Sequence, residues 1–161
     1  MKSLNSAIEQ QIHLLGGLLS LLQRETNELS EVHLDAMAEI NNQKEEISSR
    51  IADHAEILRN TVKEAIFREG LSPNATLGEL AYAIQKKGNR EIARLYAELN
   101  AIADRVREVL AFNREIAERF AASVTSSLEL ITRLIKQSNT YGASGGYQQQ
   151  PTSSVMINRE A

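Results

Sequence analysis

Residues 90–135 read REIARLYAELNAIADRVREVLAFNREIAERFAASVTSSLELITRLI. Within this stretch the apolar residues return at alternating steps of three and four, which places them on one side of an α-helix. This narrow heptad spacing is typical of a helix that packs along its length against another helix. The seam positions are Ile92, Leu95, Leu99, Ile102, Val106, Val109, Asn113, Ile116 and Phe120. We therefore predict a long packed helix over about residues 90–137.

The same stripe becomes wider after Phe120. A seam between two helices needs only a narrow apolar stripe, so a broader apolar face indicates a further partner. We expect the end of this helix to carry more apolar surface than the fold of the chain requires. The residues of the wide part are Val124, Leu128, Leu130, Ile131, Leu134 and Ile135.

A second apolar stripe runs through the first part of the chain and predicts one long helix over about residues 4–68. Ser6 and Glu9 form a capping-box pattern near its start, and the Gly70 to Pro73 segment ends it. The apolar stripe changes phase between residues 32 and 40. A kink near Asn41–Asn42 is one way to accommodate that change.

The linker between the two long helices contains one short predicted helix, over about residues 76–87. Thr76 and Glu79 form a capping box at its start, Gly88 follows its end, and Asn89 is suited to cap the last helix. Because the linker is short, the long helices should be antiparallel neighbours. The predicted fold class is therefore all-α: an elongated antiparallel coiled-coil hairpin of two long helices with a short helix in the linker.

Pairing the apolar residues nearest the linker sets the register of this hairpin. If Ile66 lies beside Ile92, the first helix extends about twenty residues beyond its partner, from the rise of 1.5 Å per residue. That overhang contains the leucine-rich segment 14–22. We expect its leucines to lie at the same end of the hairpin as the wide stripe.

The chain changes character after residue 138. Residues 139–161 are rich in Gly, Ser and Gln and contain few apolar residues, which predicts a disordered tail. The predicted organisation is a single helical domain over residues 1–138 followed by this flexible tail.

Composition excludes several classes of function. The 161 residues include no cysteine, so disulfides and thiolate metal sites are excluded and a reducing cytoplasm is the expected compartment. The net charge of −3 argues against binding nucleic acid through a basic face. The apolar run Leu14–Leu22 is too short to span a bilayer and lacks a cleavage site, so we expect neither membrane insertion nor a signal peptide.

No residue pattern indicates catalysis, a cofactor or a metal. The three histidines, His13, His33 and His54, lack the converging ligands that a zinc site needs, so we interpret them as rod-surface residues. Asn113 occupies a seam position, where a polar residue fixes helix register. The pair Gly16–Gly17 has two equally favoured interpretations, a close approach between helices or a flexible point that adapts to a partner.

Three segments together resemble FlgN-type flagellar export chaperones. The first is LLSLLQRE at residues 18–25, which precedes Leu29, Asp35, Ile40, Lys44 and Ile47. The second is Phe112–Asn113 leading into the wide stripe, and the third is the exit Asn139-Thr140-Tyr141-Gly142. The resemblance covers about residues 4–147. It implies a cytoplasmic chaperone, not an enzyme, that binds hook-associated proteins of the hook–filament junction and delivers them to the flagellar type III export gate.

In this family the client contacts are associated with the C-terminal helix, where the apolar pattern also places surplus surface. The family supplies no single contact position, so the predicted client-binding residues follow from the apolar pattern. The protein without its client should be a monomer or a weak dimer. The alternative is a structural or self-associating coiled-coil adaptor that has no export client. The predicted contacts are Val124, Leu128, Ile131, Leu134, Ile135 and Tyr141, with Leu15, Leu18, Leu19 and Leu22 as an adjoining wall.

Overall fold

The computed structural model describes residues 2–31 and 33–140, and these ranges contain helices and turns but no strand. Helix α1 spans Lys2–Glu31, α2 spans Leu34–Arg68, α3 spans Leu77–Lys86 and α4 spans Glu91–Thr140. The chain divides into two units, Met1–Ala117 and Glu118–Ala161, and the structure describes the second as far as Thr140. The all-α class and the packing of helices as hairpins are confirmed. The predicted tail lies mostly outside the described residues, and the predicted domain boundary after residue 138 stays a prediction.

The prediction of one helix over residues 4–68 was wrong, because this segment folds into the two helices α1 and α2. They run antiparallel and pack against each other along their lengths. The imidazole Nδ1 of His54 in α2 lies 2.8 Å from Oε1 of Gln11 in α1, and Lys44 forms an ion pair with Glu25. Two helices packed face to face have the same apolar period as one long helix, so periodicity alone could not reveal the break.

The break between α1 and α2 also explains the phase change of the apolar stripe. The backbone N–H of His33 donates to the carbonyl oxygen of Glu28 at 3.2 Å, and α2 begins one residue later. Asn41 and Asn42 lie inside α2, so the chain direction changes some nine residues before the predicted kink. The Ser6–Glu9 pattern is not a helix cap either, because α1 already begins at Lys2.

The predicted leucine overhang of the first helix was wrong for the same reason. Since α1 folds back along α2, its leucines face other helices of the unit formed by residues 1–117. Leu14 and Leu22 are 4% and 1% exposed.

The pair Gly16–Gly17 marks a close approach between helices. A Cβ on Gly17 would lie 2.6 Å from Cδ1 of Ile47, and one on Gly16 would lie 3.6 Å from Cδ1 of Ile102. This geometry favours a close approach between helices over a flexible point that adapts to a partner.

The main core of residues 1–117 lies where the ends of all four helices meet, near the linker. Ile66 and Ile92 both belong to it, as their predicted pairing at this end requires. The start of α1 lies beside the start of α4, so these two helices run parallel while α2 is antiparallel to both. The fully or almost fully buried residues of this core are Leu4, Ile8, Ile66, Leu80, Ala81, Ile84, Ile92 and Leu95.

The predicted capping box of the short helix is confirmed. The backbone N–H of Glu79 donates to Oγ1 of Thr76 at 3.2 Å, and the backbone N–H of Thr76 donates to Oε2 of Glu79 at 2.6 Å. The hydrogen bonds from Thr76, through its backbone first and its hydroxyl second, lower the pKa of the Glu79 carboxyl below the usual value for a glutamate. Gly88 follows the end of α3, as predicted, and its φ of +94° is a left-handed conformation that glycine adopts readily.

Helix α4 begins at Glu91, so the predicted cap Asn89 lies one residue before the cap position, and its Oδ1 accepts from the backbone N–H of Glu91 at 3.0 Å. The helix then continues to Thr140, three residues beyond its predicted end. Its first half, up to Ala117, belongs to the compact unit just described.

Candidate functional site

The wide apolar stripe of α4 is exposed to solvent. Every side chain over residues 118–135 is exposed to solvent. The stripe residues Val124, Leu128, Leu130, Ile131, Leu134 and Ile135 are between 42% and 59% exposed. Soluble proteins seldom expose so many large apolar side chains in one contiguous patch unless a partner covers them. This segment is therefore the first candidate for a binding surface, and we refer to these six residues as the exposed stripe.

The polar side chains around the exposed stripe do not alter its apolar character. The hydroxyls of Thr125, Ser127 and Thr132 donate to backbone carbonyls four residues earlier, at 3.0, 2.9 and 2.8 Å. Such bonds return the hydroxyls to their own helix. The segment 118–135 also contains two acidic and two basic residues, so its formal charge is zero. This surface is therefore better suited to bind the apolar face of a partner helix than to bind a charged ligand.

The predicted adjoining leucines have a different environment. Leu15, Leu18 and Leu19 are half-buried, whereas Leu22 is 1% exposed. Leu22 is therefore a core residue of the unit formed by residues 1–117, and the prediction of a surface role for it does not fit this structure. Whether the other three leucines bind a client stays a prediction. Tyr141 lies outside the described residues.

Asn113 lies at the centre of a buried polar cluster that joins α1, α2 and α4. Its side chain is 3% exposed, and its Nδ2 donates to the carbonyl oxygen of Leu22 at 2.8 Å and to Oε2 of Glu25 at 3.0 Å. Its Oδ1 accepts from the hydroxyl of Thr26 at 2.6 Å. Glu25 in turn forms the ion pair with Lys44. These bonds satisfy the amide in one relative position of α1 and α4, which supports the predicted role in register.

Sequence reasoning missed Glu25 and Lys44, although a signal was present. Glu25 occupies the stripe position between Leu22 and Leu29, and Lys44 occupies the one between Ile40 and Ile47. Charged residues of opposite sign at positions that should be apolar indicate a buried pair.

The histidines were interpreted as rod-surface residues, and two of them, His33 and His54, have partners that one continuous helix could not provide. Nδ1 of His33 lies 2.9 Å from a carboxylate oxygen of Glu28 and 3.3 Å from one of Glu31. One potential ligand atom from each of the three residues lies within 4.8 Å of the others. The hydrogen bond between the imidazole and Glu28, with the Glu31 carboxylate close by, accounts for this arrangement. His13 is exposed, and His54 is held by Gln11.

No helix in residues 2–31 and 33–140 combines the length and the apolar content that crossing a bilayer would require.

Comparison with known proteins supports the sequence resemblance. A family model described as "FlgN protein" matches residues 1–149, which include all four helices and the exposed stripe. Neither a search of curated proteins nor a search of solved structures found a match. The matched family is one of chaperones that act in flagellum assembly and is not known as an enzyme family. The chain thus belongs to the FlgN family, and this membership implies the general role of a flagellar export chaperone.

Proposed function

We propose that this protein binds hook-associated proteins through the exposed stripe, keeps their terminal helices soluble and delivers them to the flagellar type III export gate. The observation that carries this proposal is the contiguous exposed stripe on α4 of a protein in the FlgN family. An apolar surface of this kind gains free energy when a partner removes it from water, by roughly 25 cal/mol per Å². A chaperone for aggregation-prone helices needs such a surface.

The proposed mode of recognition is the packing of an amphipathic client helix on this one. The charge of residues 118–135 sums to zero, so association depends on apolar contact rather than on a charged partner. Burial of roughly 600–800 Å² per partner would support micromolar or tighter binding. Delivery requires release, which fits a moderate affinity better than a permanent complex.

The residues proposed to contact the client are Val124, Leu128, Ile131, Leu134 and Ile135, together with Leu130, which has the same exposure. Tyr141 and the half-buried Leu15, Leu18 and Leu19 are proposed as additional contacts, and Leu22 is not. We further propose that the protein works in the cytoplasm and is a monomer or weak dimer before it binds a client. In this proposal the chaperone acts without a cofactor.

The test compares two aspartate substitutions on opposite sides of α4. Ile131→Asp places a charge in the exposed stripe, whereas Ala122→Asp lies nine residues earlier, about half a turn around the helix. Both positions are exposed. With a purified hook-associated protein and titration calorimetry, we expect Ile131→Asp to weaken binding by at least about a hundredfold, because it buries an unpaired charge. Ala122→Asp should bind as the native chain does.

Two results would contradict the proposal. If both variants bind the hook-associated protein with native affinity, the exposed stripe is not the client site. If light scattering shows that the native chain is a tight dimer and that Ile131→Asp dissociates it, the stripe serves self-association. That result would favour the alternative of a structural coiled-coil adaptor.

A further inference from the structure

A second exposed apolar surface lies at the linker end of the molecule, within residues 1–117. Phe67, in the last turn of α2, is 86% exposed, the most of any large apolar side chain among the described residues. It lines a cavity of about 360 Å³. Ile66, which also lines this cavity, is buried. We call this surface the linker-end groove, and its lining residues are Lys63, Ile66, Phe67, Leu71 and Pro73.

The linker-end groove is built on a hydrogen-bonded helix end. The backbone N–H of Gly70 donates to the carbonyl oxygen of Phe67 at 3.1 Å, and that of Leu71 donates to Ile66 at 3.1 Å. Gly70 has φ +68°, which lets the chain reverse directly after the helix. The groove is therefore formed before any partner binds, which reduces the entropy lost on binding.

The fold does not explain why Phe67 is a large apolar residue. Its neighbour Ile66 is 3% exposed and supplies the contact of this turn with the core. Phe67 leaves most of its ring in water, where it contributes little to stability. An exposed aromatic side chain beside a preformed cavity is typical of an anchor at a protein–protein interface.

The charges beside the linker-end groove are positive. Arg59, Lys63 and Phe67 follow one another at steps of four, so they share a face of α2. Neither Arg59 nor Lys63 forms an ion pair with the part of the chain that the structure describes, whereas Arg68 is paired with Glu64. Residues 59–94 contain seven basic and four acidic residues, a net charge of +3, in a chain whose total is −3.

We infer that the linker-end groove binds an acidic segment of a partner protein that inserts one large apolar side chain beside Phe67. Carboxylates of that segment would lie next to Lys63 and Arg59, which form no ion pair with an acidic residue among those that the structure describes. Complementary charge would speed association and select against basic segments, while the apolar side chain would provide most of the affinity. This site is separate from the exposed stripe, and the inference does not depend on which client the stripe binds.

The test selects peptides directly on the full-length chain. A displayed library of random 12-residue peptides is panned against the native protein, with counter-selection on the Phe67→Ala variant. We expect the enriched peptides to carry at least two Asp or Glu residues and one Leu, Ile, Met or Phe. In fluorescence anisotropy, Phe67→Ala and Lys63→Glu should each weaken the binding of these peptides by about tenfold or more, and added salt should weaken it further.

Matched variants separate the groove from general surface effects. Ile57→Ala removes another exposed apolar side chain of α2, and Arg50→Glu reverses another exposed charge of the same helix. Both should bind the selected peptides as the native chain does. Because Phe67 and Lys63 are exposed, their variants should keep the native melting temperature, which circular dichroism checks.

The inference fails if panning enriches no peptide that depends on Phe67, or if the enriched peptides are neutral or basic. It also fails if Phe67→Ala converts a native dimer into a monomer, because a second copy of the chain would then be the occupant.

Discussion

The two halves of α4 carry similar apolar stripes in different environments. Over residues 91–117 the stripe faces other helices, with Ile92 and Leu95 almost fully buried and Val106 9% exposed. Over residues 118–135 every side chain is exposed. Heptad spacing thus shows that a helix has an apolar face, but it does not show whether the chain itself covers that face. The width of the stripe was the better indicator, since the half that broadens is the half that is exposed.

This contrast gives the two halves separate tasks. Burial of the first half stabilises the fold, because each fully buried Leu or Ile contributes about 1.5–3 kcal/mol. The second half contributes little to folding while it is exposed, so its apolar residues need another explanation, and client binding provides one.

The largest effect should come from the same substitution made in each half. Ile92→Asp places a charge at a position that is 0% exposed, and we expect it to lower the free energy of unfolding by at least about 4 kcal/mol. Ile131→Asp, at a position 51% exposed, should change that free energy by less than about 1 kcal/mol. Urea unfolding followed by circular dichroism measures both values. Similar losses for the two variants would mean that Ile131 is a core residue.

The second prediction concerns the buried polar cluster that holds the packed half of α4. Lys44→Ala leaves the Glu25 carboxylate, whose side chain is 10% exposed, without its cation. We expect a loss of about 2–3 kcal/mol, below the range for completely buried pairs because the Lys44 side chain is 20% exposed.

The matched control for this pair is Lys87→Ala. Lys87 contacts Glu69 at 2.6 Å, but its side chain is 66% exposed, so its removal should cost less than about 1 kcal/mol. Equal losses for the two lysine variants in urea unfolding would refute the special role given to the Glu25–Lys44 pair.

The third prediction uses the adjacent glycines of α1. Gly16→Ala should stabilise the protein by about 0.5–1 kcal/mol, because alanine favours the helix and the new Cβ meets Cδ1 of Ile102 in α4 at an ordinary 3.6 Å. Gly17→Ala should lose this gain, because its Cβ would come within 2.6 Å of Cδ1 of Ile47 and force that side chain to move. Thermal unfolding of both variants checks the difference. Equal stabilisation would mean that the contact at Gly17 is not close.

The smallest effect should come from the capping box of α3 and should depend on pH. The Glu79 carboxyl has a lowered pKa in the folded protein, so its charge stabilises the fold above the unfolded pKa, and this contribution is lost as pH falls through the folded pKa. Glu79→Gln removes the charge while keeping an acceptor oxygen. The melting temperature of the variant should lie below that of the native protein at pH 7, and the gap should narrow as the pH falls below the pKa of a glutamate in the unfolded chain. A gap that stays constant with pH would contradict the assignment.

Local signals in the sequence predicted the linker end well. The capping box of Thr76 and Glu79 follows from a short-range pattern and is confirmed. Asn89 accepts a hydrogen bond from the first residue of α4, and Ile66 and Ile92 lie in the same core, as their predicted roles require. These features depend on residues a few positions apart or on the geometry that a short linker imposes.

The break between α1 and α2 could not be predicted in the same way. Residues 28–37 contain neither glycine nor proline, so no local signal ends the helix at Glu31. The antiparallel contact between the two helices determines the break, and tertiary packing of this kind overrides helix propensity. The charged residues Glu25 and Lys44 in the apolar stripes were the sequence feature that indicated a buried contact between α1 and α2.

Hydrogen exchange measured by mass spectrometry shows whether a client covers residues 118–135 of α4. The full-length chain would be compared alone and with a purified hook-associated protein in excess. We expect amides over residues 118–135 to exchange more slowly in the complex, while those over residues 92–106 keep the protection they already have. A stable complex in which residues 118–135 exchange at the same rate as in the chaperone alone would contradict this expectation.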